Sequence, residues 1–314
     1  MAVANVPEEE TDKTYGELFC SAGLTDGLHY KLIFLSIFHV LLCISSSLGN
    51  TLILVALHKE SSLHPPSKLL YRCLAITDLC VGILVEPLTI IYWMSVVNER
   101  WNICYYALFS NFIASYILCS VSLLTLSAIS VDRLLALSLG LRYRQIVTLK
   151  RIYMTVITFW VLATVCSTMY IQNYLITIKY SHIVIVSCLV TSIFAYSKIF
   201  FNLRHHSQPQ VHAEVRHEEQ LSQSAQLNIK RYRKAVSSAL WLQLTLVVCY
   251  LPHGLVTASS THSGQSPGLM LVRPFTLTLV SLNSSLNPIL YCWKIKEVRL
   301  AVKDTIRHLF CPFR

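Results

Sequence analysis

The sequence predicts an all-α membrane protein, a seven-transmembrane-helix bundle with a short amphipathic eighth helix. Hydrophobic residues make up 54% of the 314 residues and charged residues only 13%, whereas soluble domains carry about 25% charged residues. Seven apolar runs are each long enough to cross about 30 Å of hydrocarbon, which takes about 20 helical residues. Polar side chains recur inside four of these runs, so we expect the bundle to have a polar interior.

The apolar runs divide the chain into three parts. A polar, acidic tail (1–30) precedes a transmembrane region (31–293), and a basic segment with a short tail (294–314) follows. The first run is longer than the core of a cleaved signal peptide, so we expect it to be retained. The third run exceeds one bilayer thickness, which implies tilt or a projecting end. The predicted spans are 32–57, 69–96, 104–138, 152–172, 181–203, 235–259 and 271–293.

The basic residues predict the orientation of the bundle. With the N-terminus outside, five of the 26 lysines and arginines fall in outer segments and the other 21 on the cytoplasmic side, as the positive-inside rule expects. The formal net charge of +10 could also indicate a nucleic-acid partner. The basic residues, however, lie in short segments between apolar runs and form no groove with interleaved aromatic residues. We therefore expect membrane lipids, and no nucleic acid, as partners.

Cysteine and histidine give little support for a metal site. The eleven cysteines lie mostly inside apolar runs, where cysteine packs as a small hydrophobic residue, and none has CxxC or Cys/His ligand spacing. Histidines in the polar stretch 204–230 could bind a metal or belong to a solvated loop, and their irregular spacing favours the loop. They are His205, His206, His212 and His217.

An adjacent acid–base pair, Asp132–Arg133, closes the nearly uncharged third run. Charges at the end of a membrane-length helix are costly unless they face protein or water, so the pair is a candidate functional site. The alternative is an ordinary helix end with interfacial charges. The distribution of basic residues places the pair at the cytoplasmic mouth of the helix.

Polar side chains inside other runs must be satisfied within the protein. Asp78 is the only carboxylate deep in the second run, so a cation, a proton or polar neighbours must balance it. Asn283 and Asn287 share a helix face, and Pro288 frees a carbonyl that can bend the helix. One or two such residues could simply be hydrogen-bonded glue between helices. A set on four helices, including Asn50 and Ser122, indicates a polar core.

Together these motifs resemble those of a rhodopsin-like (class A) G-protein-coupled receptor. Each motif alone is weak, but the ordered set covers residues 31 to about 311: Gly49-Asn50, Leu74-Ala75-x-x-Asp78, Asp132-Arg133, Trp160, Cys249-Tyr250-Leu251-Pro252 and Asn287-Pro288-x-x-Tyr291. The resemblance implies a non-enzymatic plasma-membrane receptor that binds an extracellular ligand and catalyses nucleotide exchange on a heterotrimeric G protein through outward movement of helix 6. The alternative is a helical transporter or channel with a cation site at Asp78, which the lack of repeated halves disfavours.

The resemblance also implies roles for matching residues. Arg133 would be held by Asp132 in the inactive state and would face the G protein in the active state. Tyr196 and Tyr291 match two tyrosines that approach each other on activation. The other matches to switch motifs are Tyr250, Pro252, Asn287 and Pro288. An allosteric sodium ion, the one cofactor implied, would bind a carboxylate and neutral oxygens suited to a hard cation: Asp78, Ser122, Asn283 and Asn287.

Departures from the family's pattern change these expectations. Leu134 replaces the usual tyrosine after Arg133, Tyr250 replaces a tryptophan, and Cys188 replaces the proline of the fifth span. The segment Arg231-Tyr232-Arg233-Lys234 offers no acid to pair with Arg133. Because one inactive-state salt bridge is then missing, we expect appreciable signalling without ligand.

The outer cysteines also depart from the family. The loop between the fourth and fifth spans contains no cysteine, so Cys104 pairs with Cys20 in the tail or stays free. The short loop and the missing proline resemble the group that includes melanocortin, adenosine, lysophospholipid and cannabinoid receptors.

Spacing against the family's pocket places eight residues toward the outer cavity: Glu86, Ser115, Tyr116, Cys119, His253, Thr257, Leu277 and Ser281. Ser115 stands where amine receptors carry an aspartate, and a buried cation without a counter-charge is costly. We therefore expect a purine, a peptide or a lipid-like ligand, and no monoamine. Glu86 contacts a basic ligand group or a metal ion, or it simply reaches the interface. His253 is a ligand-facing donor or a packed imidazole.

The segment 294–310 carries apolar residues at helical spacing with basic residues between them. This pattern predicts an amphipathic helix on the inner leaflet. Cys311 at its end is a palmitoylation candidate or a free cysteine.

Overall fold

The computed structural model of the protein describes residues 19–20, 28–59, 63–171, 173–207, 241, 244–261, 267–294 and 296–310. Within them every regular element is helical, and seven helices are long and apolar enough to cross a membrane. These are α1 (His29–Lys59), α2 (Pro65–Val97), α3 (Trp101–Leu139), α4 (Leu149–Thr168), α5 (Tyr174–Ser207), α6 (Leu244–Thr261) and α7 (Pro267–Lys294). A shorter helix, α8 (Lys296–Phe310), follows. The predicted seven-helix bundle is confirmed.

Local sequence signals set several helix ends. Proline residues occupy the first turn of α2, where the missing N–H has no helical partner to lose. The Thr148 hydroxyl accepts a hydrogen bond from the Arg151 amide and caps α4. Gly140 ends α3 with a φ of 50°, a conformation that glycine adopts without strain.

The fifth helix begins at Tyr174, earlier than the predicted start at residue 181. The side-chain oxygen of Asn173 accepts a hydrogen bond from the Leu175 amide at 2.9 Å, so a polar residue caps the helix immediately after α4. The apolar residues between Leu175 and Ile178 therefore belong to the fifth helix and not to a loop.

The third helix lies at the centre of the bundle. In its most apolar 18-residue window 56% of the residues are buried, against 11% for α4, which therefore lies at the periphery. The main buried cluster joins side chains from α1, α2, α3, α5, α6, α7 and α8, among them Ile53, Leu74, Leu126, Cys188, Leu246, Tyr291 and Val298. Large apolar side chains such as Ile37 and Leu48 are exposed on the outer surface, as expected for a surface that contacts lipid.

The apolar face of α8 packs against this cluster. Val298, Ala301 and Val302 are buried within it, while Arg299, Lys303 and other residues on the opposite side are exposed. The predicted amphipathic helix thus joins the end of α7 to the bundle.

A π-helical turn, Val81–Val85, interrupts α2. Pro87 follows it, and proline can neither donate to the carbonyl four residues earlier nor fit a regular helix interior without distortion. A π turn holds an extra residue compared with an α turn. Residues after it, including Glu86, therefore face a different neighbour from the one that regular helical spacing predicts.

The π turn brings α2 close to α1 at Gly82. A Cβ added there would lie 2.7 Å from the Ser47 hydroxyl oxygen and 3.0 Å from the Ser47 backbone nitrogen. We expect Gly82→Ala to lower the free energy of unfolding by about 1–3 kcal/mol, because the two helices must move apart. The thermal midpoint of the purified protein in detergent measures this effect.

Gly268→Ala is the matched control for this substitution. A Cβ at Gly268 meets nothing within 4 Å, so Gly268→Ala makes the same chemical change in a helix without a steric conflict. A midpoint for Gly82→Ala as high as that of Gly268→Ala would contradict close packing at this point.

Candidate functional site

A polar cluster around Asp78 joins three helices in the middle of the bundle. Asp78 is fully buried, and its carboxylate accepts hydrogen bonds from the Ser284 hydroxyl at 2.9 Å and the Asn287 side-chain amide at 2.7 Å. The Ser46 hydroxyl donates to the Asp78 backbone carbonyl at 2.8 Å. The Asn50 side-chain amide donates to the Ser284 carbonyl at 3.0 Å. The cluster therefore holds α1, α2 and α7 together.

Of the two other residues predicted for a sodium site, Ser122 is buried and its hydroxyl neighbours the Asp78 carboxylate. Among the described residues, both side-chain polar atoms of Asn283 are buried without a hydrogen-bond partner. Ser284, which was not predicted as part of the sodium site, donates to Asp78 directly. Ser284 lies three residues before Asn287 on the same helix face, so helical spacing could have indicated this contact. A carboxylate with neutral side-chain oxygens close to it is a ligand set that suits a hard cation.

An outer cavity opens at the end of the bundle nearest the N-terminal tail. Its upper part has an empty volume of about 810 Å³, including space open to solvent, and its lower part about 490 Å³. Both parts share Ser115, Tyr116, His253 and Leu277, so they adjoin each other. Tyr250 and Cys119 line the lower part.

Five of the eight predicted pocket residues line this cavity: Ser115, Tyr116, Cys119, His253 and Leu277. The other three do not, which corrects the spacing-based assignment. Ser281 is mostly buried and is not among the lining residues. The Thr257 hydroxyl donates within its own helix and accepts from the His182 ring at 2.9 Å. His182 was not anticipated from the sequence.

Glu86 is the third correction. The π turn directs it toward α1, where its carboxylate pairs with the His39 ring nitrogen Nδ1, and both side chains are almost completely buried. It therefore does not reach the cavity or the membrane interface. The rings of His39 and Trp93 are nearly perpendicular, with their centroids 4.7 Å apart, and Trp93 itself lines the outer cavity. A buried pair thus lies directly behind the cavity wall.

The hydrogen bonds of Thr278 indicate how His39 and Glu86 are protonated. The Thr278 hydroxyl donates to the Pro274 carbonyl at 2.9 Å, so it must accept from the His39 nitrogen Nε2 at 3.1 Å. With Nε2 protonated, one further proton lies between His39 Nδ1 and the Glu86 carboxylate. The pair is neutral overall whichever atom holds that proton, and this neutrality makes burial in a membrane tolerable.

A disulfide joins Cys20 in the tail to Cys104 in α3, with the two Cα atoms 5.9 Å apart. The sequence left this pairing open because it does not give the distance between the two residues. The bond places Phe19 in the outer cavity. The Arg273 guanidinium lies over the Phe19 ring, 4.3 Å from its centroid, which suits a cation–π contact. The tail therefore forms part of the cavity wall.

At the opposite end of α3, Asp132 is the centre of a second hydrogen-bonded group. Its carboxylate accepts from Arg133 at 2.7 Å, from the Tyr143 hydroxyl at 2.5 Å and from the Ser67 hydroxyl at 2.9 Å. Asp132 is 3% exposed, so these are charge-assisted bonds in a largely dry environment. Tyr143 and Ser67, which the sequence did not single out, thus connect α3 to the following turn and to α2.

Burial, and the hydrogen bond to Asp132, raise the pKa of the Tyr143 hydroxyl to about 12. Since this folded-state pKa lies above the ordinary value of 10.0, the stabilising contribution of the protonated hydroxyl is complete below about pH 10. It is lost as the pH rises through about 12. Tyr143 therefore remains a donor to Asp132 at physiological pH.

The two predicted switch tyrosines are buried but do not contact each other through a hydrogen bond. The Ser130 hydroxyl donates to its own helix and accepts from the Tyr196 hydroxyl at 2.9 Å. Among the described residues the Tyr291 hydroxyl has no hydrogen-bond partner, and its ring packs edge-on against Tyr71. Each tyrosine is thus held by its own neighbour.

The sixth helix carries the remaining switch residues. Tyr250 is buried at the floor of the outer cavity. Pro252 lies inside α6, where it leaves the carbonyl four residues earlier without its helical donor. The segment 231–234, the histidines at 212 and 217, and Cys311 lie outside the described residues, so the expectations for them remain predictions.

Comparison with known families identifies a matching family model. The family model described as "7 transmembrane receptor (rhodopsin family)" matches residues 49–174 and 163–291. The two segments together cover more than half of the chain and include Asp78 with its partners Ser284 and Asn287, the Asp132–Arg133 pair and α7 as far as Tyr291.

Proposed function

Because this chain belongs to the rhodopsin family of seven-transmembrane receptors, we propose that it binds an extracellular ligand in the outer cavity and catalyses nucleotide exchange on a heterotrimeric G protein. Binding would favour outward movement of α6 about Pro252 and release of Arg133 from Asp132. The receptor would lie in the plasma membrane with its N-terminus outside, as the excess of basic residues at the Asp132 end supports.

The observation that carries the proposal is the position of the two sites at opposite ends of α3. Ser115 lines the outer cavity, and Arg133 lies 18 residues later, about 27 Å along the helix axis. The Asp78 cluster lies between these ends and contacts α7. A ligand that prefers one arrangement of these helices shifts the population at the far end by its difference in affinity for the two arrangements.

The cavity supports a neutral or acidic ligand and disfavours a monoamine. No carboxylate is among the described residues that line it, because Glu86 is paired with His39. Arg273 and His253 line the upper part, together with the aromatic rings of Tyr92, Trp93 and Phe112. A purine, a peptide or a lipid-like molecule whose polar group is neutral or negative fits this lining.

Purified receptor in lipid nanodiscs, mixed with several classes of G protein, tests the proposal. We expect acceleration of nucleotide exchange by at least one class, and a further increase with a ligand from a panel of purines, peptides and lipids. Failure of every G protein to respond, with properly folded receptor, would contradict it.

We also propose that Asp78 holds an allosteric sodium ion, with Ser122, Asn283 and Asn287 as neighbours. We expect sodium chloride to raise the thermal midpoint of the purified receptor more than choline chloride at the same ionic strength, because only sodium binds the folded site. Asp78→Asn should abolish this difference.

Asp304→Asn is the matched control for the sodium prediction. Asp304 is exposed on α8, so the same chemical change there should leave the sodium-specific increase intact. An increase that survives in Asp78→Asn would exclude Asp78 as the ligand.

A further inference from the structure

The upper and lower parts of the outer cavity adjoin each other at four shared residues, which we call the junction: Ser115, Tyr116, His253 and Leu277. The first two come from α3, the third from α6 and the fourth from α7. A ligand that extends from one part of the cavity into the other contacts the junction. A few well-placed polar groups decide which ligand a mostly apolar pocket accepts, so the hydrogen bonds at the junction are informative.

The hydrogen bonds of Thr276 fix the position of the proton on the His253 ring. The Thr276 hydroxyl has one proton, which it donates to the Arg273 backbone carbonyl at 2.9 Å. It must therefore accept from the His253 nitrogen Nδ1 at 3.3 Å. When Nδ1 carries the proton, a neutral imidazole has a lone pair on Nε2 and can only accept there.

The lining of the cavity favours a neutral His253 ring. Arg273 lines the upper part together with His253, and no carboxylate is among the described residues that line either part. A second proton on the ring would place another cation in this lining, which is costly inside a membrane protein. The sequence allowed a ligand-facing donor or a packed imidazole at this position. The hydrogen bonds instead make Nε2 of His253 an acceptor.

The neighbours of His253 at the junction are engaged elsewhere. The Ser115 hydroxyl donates to the Asn111 side-chain oxygen at 3.3 Å. The Tyr116 ring stacks on the Phe112 ring, with their centroids 4.2 Å apart. Within the part of the chain that the structure describes, the hydrogen bond of His253 is the one at Nδ1. A donor for Nε2 must therefore come from a molecule in the cavity.

The walls on the two sides of the junction differ in character. Three aromatic rings line the upper part: Tyr92, Trp93 and Phe112. Four aliphatic side chains line the lower part: Leu123, Val184, Ile185 and Val280. A molecule that fills both parts therefore has an aromatic end, an aliphatic end and a polar group between them.

We propose that the ligand is an uncharged amphiphile whose N–H or O–H group donates to Nε2 of His253, with its aromatic end in the upper part and its aliphatic chain in the lower part. An ester or a carboxylate would place an oxygen lone pair against the nitrogen lone pair and leave a buried acceptor without a donor. A site that bonds an N–H or O–H group rejects the analogue that lacks it. This inference rests on the proposed ligand site and narrows its ligand class.

A matched pair of probes tests the inference on the purified full-length receptor in detergent. The probes are the phenethyl amide and the phenethyl ester of octanoic acid, which differ only in an N–H group against an oxygen. Titration of the thermal midpoint with each probe gives its relative affinity for the folded receptor. We expect the amide to bind about tenfold more tightly than the ester, because only the amide donates to Nε2.

Two variants connect this preference to His253. His253→Leu removes the acceptor and should bring the ratio of amide to ester affinity to about one. Thr276→Val removes the group that accepts from Nδ1, so the ring can carry its proton on Nε2, and the ratio should also fall although the ring remains. The control is His182→Leu, which removes an imidazole outside the described lining of the cavity and should leave the preference intact.

The outcomes that would overturn the inference are specific. The ligand class is wrong if the amide binds no more tightly than the ester, or if octanoate binds more tightly than the amide. The role of His253 is wrong if the preference survives in Thr276→Val and His253→Leu, or if His182→Leu abolishes it equally. If His253→Leu does not fold, Thr276→Val decides. No G protein is present, so nucleotide exchange driven by another ligand class would still support the proposed function after a failure here.

Discussion

Glu86→Leu is expected to destabilise the protein by about 3–5 kcal/mol, because it leaves the His39 ring buried without its charged partner. The replacement has a similar volume, so the loss reports on the missing carboxylate more than on a cavity. The ring would either stay protonated without a counter-charge or lose its bond at Nδ1, and both are costly in the interior of a membrane protein. The thermal midpoint and the yield of folded protein in detergent measure the effect.

Replacing both members of the pair separates this effect from poor packing. In the double variant His39→Leu, Glu86→Leu no buried charge is left unpaired, so we expect it to recover a large part of the stability lost in Glu86→Leu. Thr278→Val, which removes the acceptor at His39 Nε2 together with a hydrogen bond to the Pro274 carbonyl, should cost about 1–3 kcal/mol. If the double variant is less stable than Glu86→Leu by the full cost of replacing His39 alone, the two side chains do not stabilise each other.

Asp132→Asn is expected to raise basal nucleotide exchange about tenfold. It removes the charge that holds Arg133 but keeps an oxygen that can accept from Tyr143 and Ser67. A charge-assisted hydrogen bond contributes about 1.5–3 kcal/mol, and about 1.4 kcal/mol changes a two-state population tenfold. Exchange on a G protein in the absence of ligand, measured in nanodiscs at matched receptor concentration, reports this shift.

Two further variants serve as comparisons for Asp132→Asn. Tyr143→Phe removes one neutral donor and leaves the ion pair, so we expect a smaller increase, of about fivefold or less. Asp304→Asn makes the same chemical change at an exposed position and should leave basal exchange unchanged. If Asp132→Asn signals no more than Asp304→Asn, the bond between Asp132 and Arg133 does not restrain the receptor.

The seven spans could be read from the sequence because hydropathy and length are local properties. An apolar run of about 20 residues must form a helix in lipid, whatever its neighbours, since its backbone groups have no other partners. The polar core was also recognisable, because a carboxylate such as Asp78 inside such a run needs partners. Helix ends were less predictable, and the start of α5 at Tyr174 depends on one side-chain cap at Asn173.

The sequence did not predict which residues would meet across helices. Regular spacing placed Glu86 at the cavity, but the π turn before it directs the carboxylate to His39 on α1. Thr257 was expected to face a ligand, yet it accepts a hydrogen bond from His182 of α5. Ser284, and not Asn283, donates to Asp78. In each case the rotation of one helix relative to its neighbour decided the contact.

The sequence by itself determined that the chain crosses a membrane seven times and carries a polar interior and a charged pair at the end of its third span. Composition, periodicity and charge distribution suffice for this, because each depends on residues close together in the chain. The tertiary structure decided the partners: Glu86 with His39, Asp132 with Tyr143 and Ser67, and Cys20 with Cys104. The physical reason is that contacts between helices depend on their rotation, on local irregularities such as the π turn, and on distances across the bundle, none of which a single segment encodes.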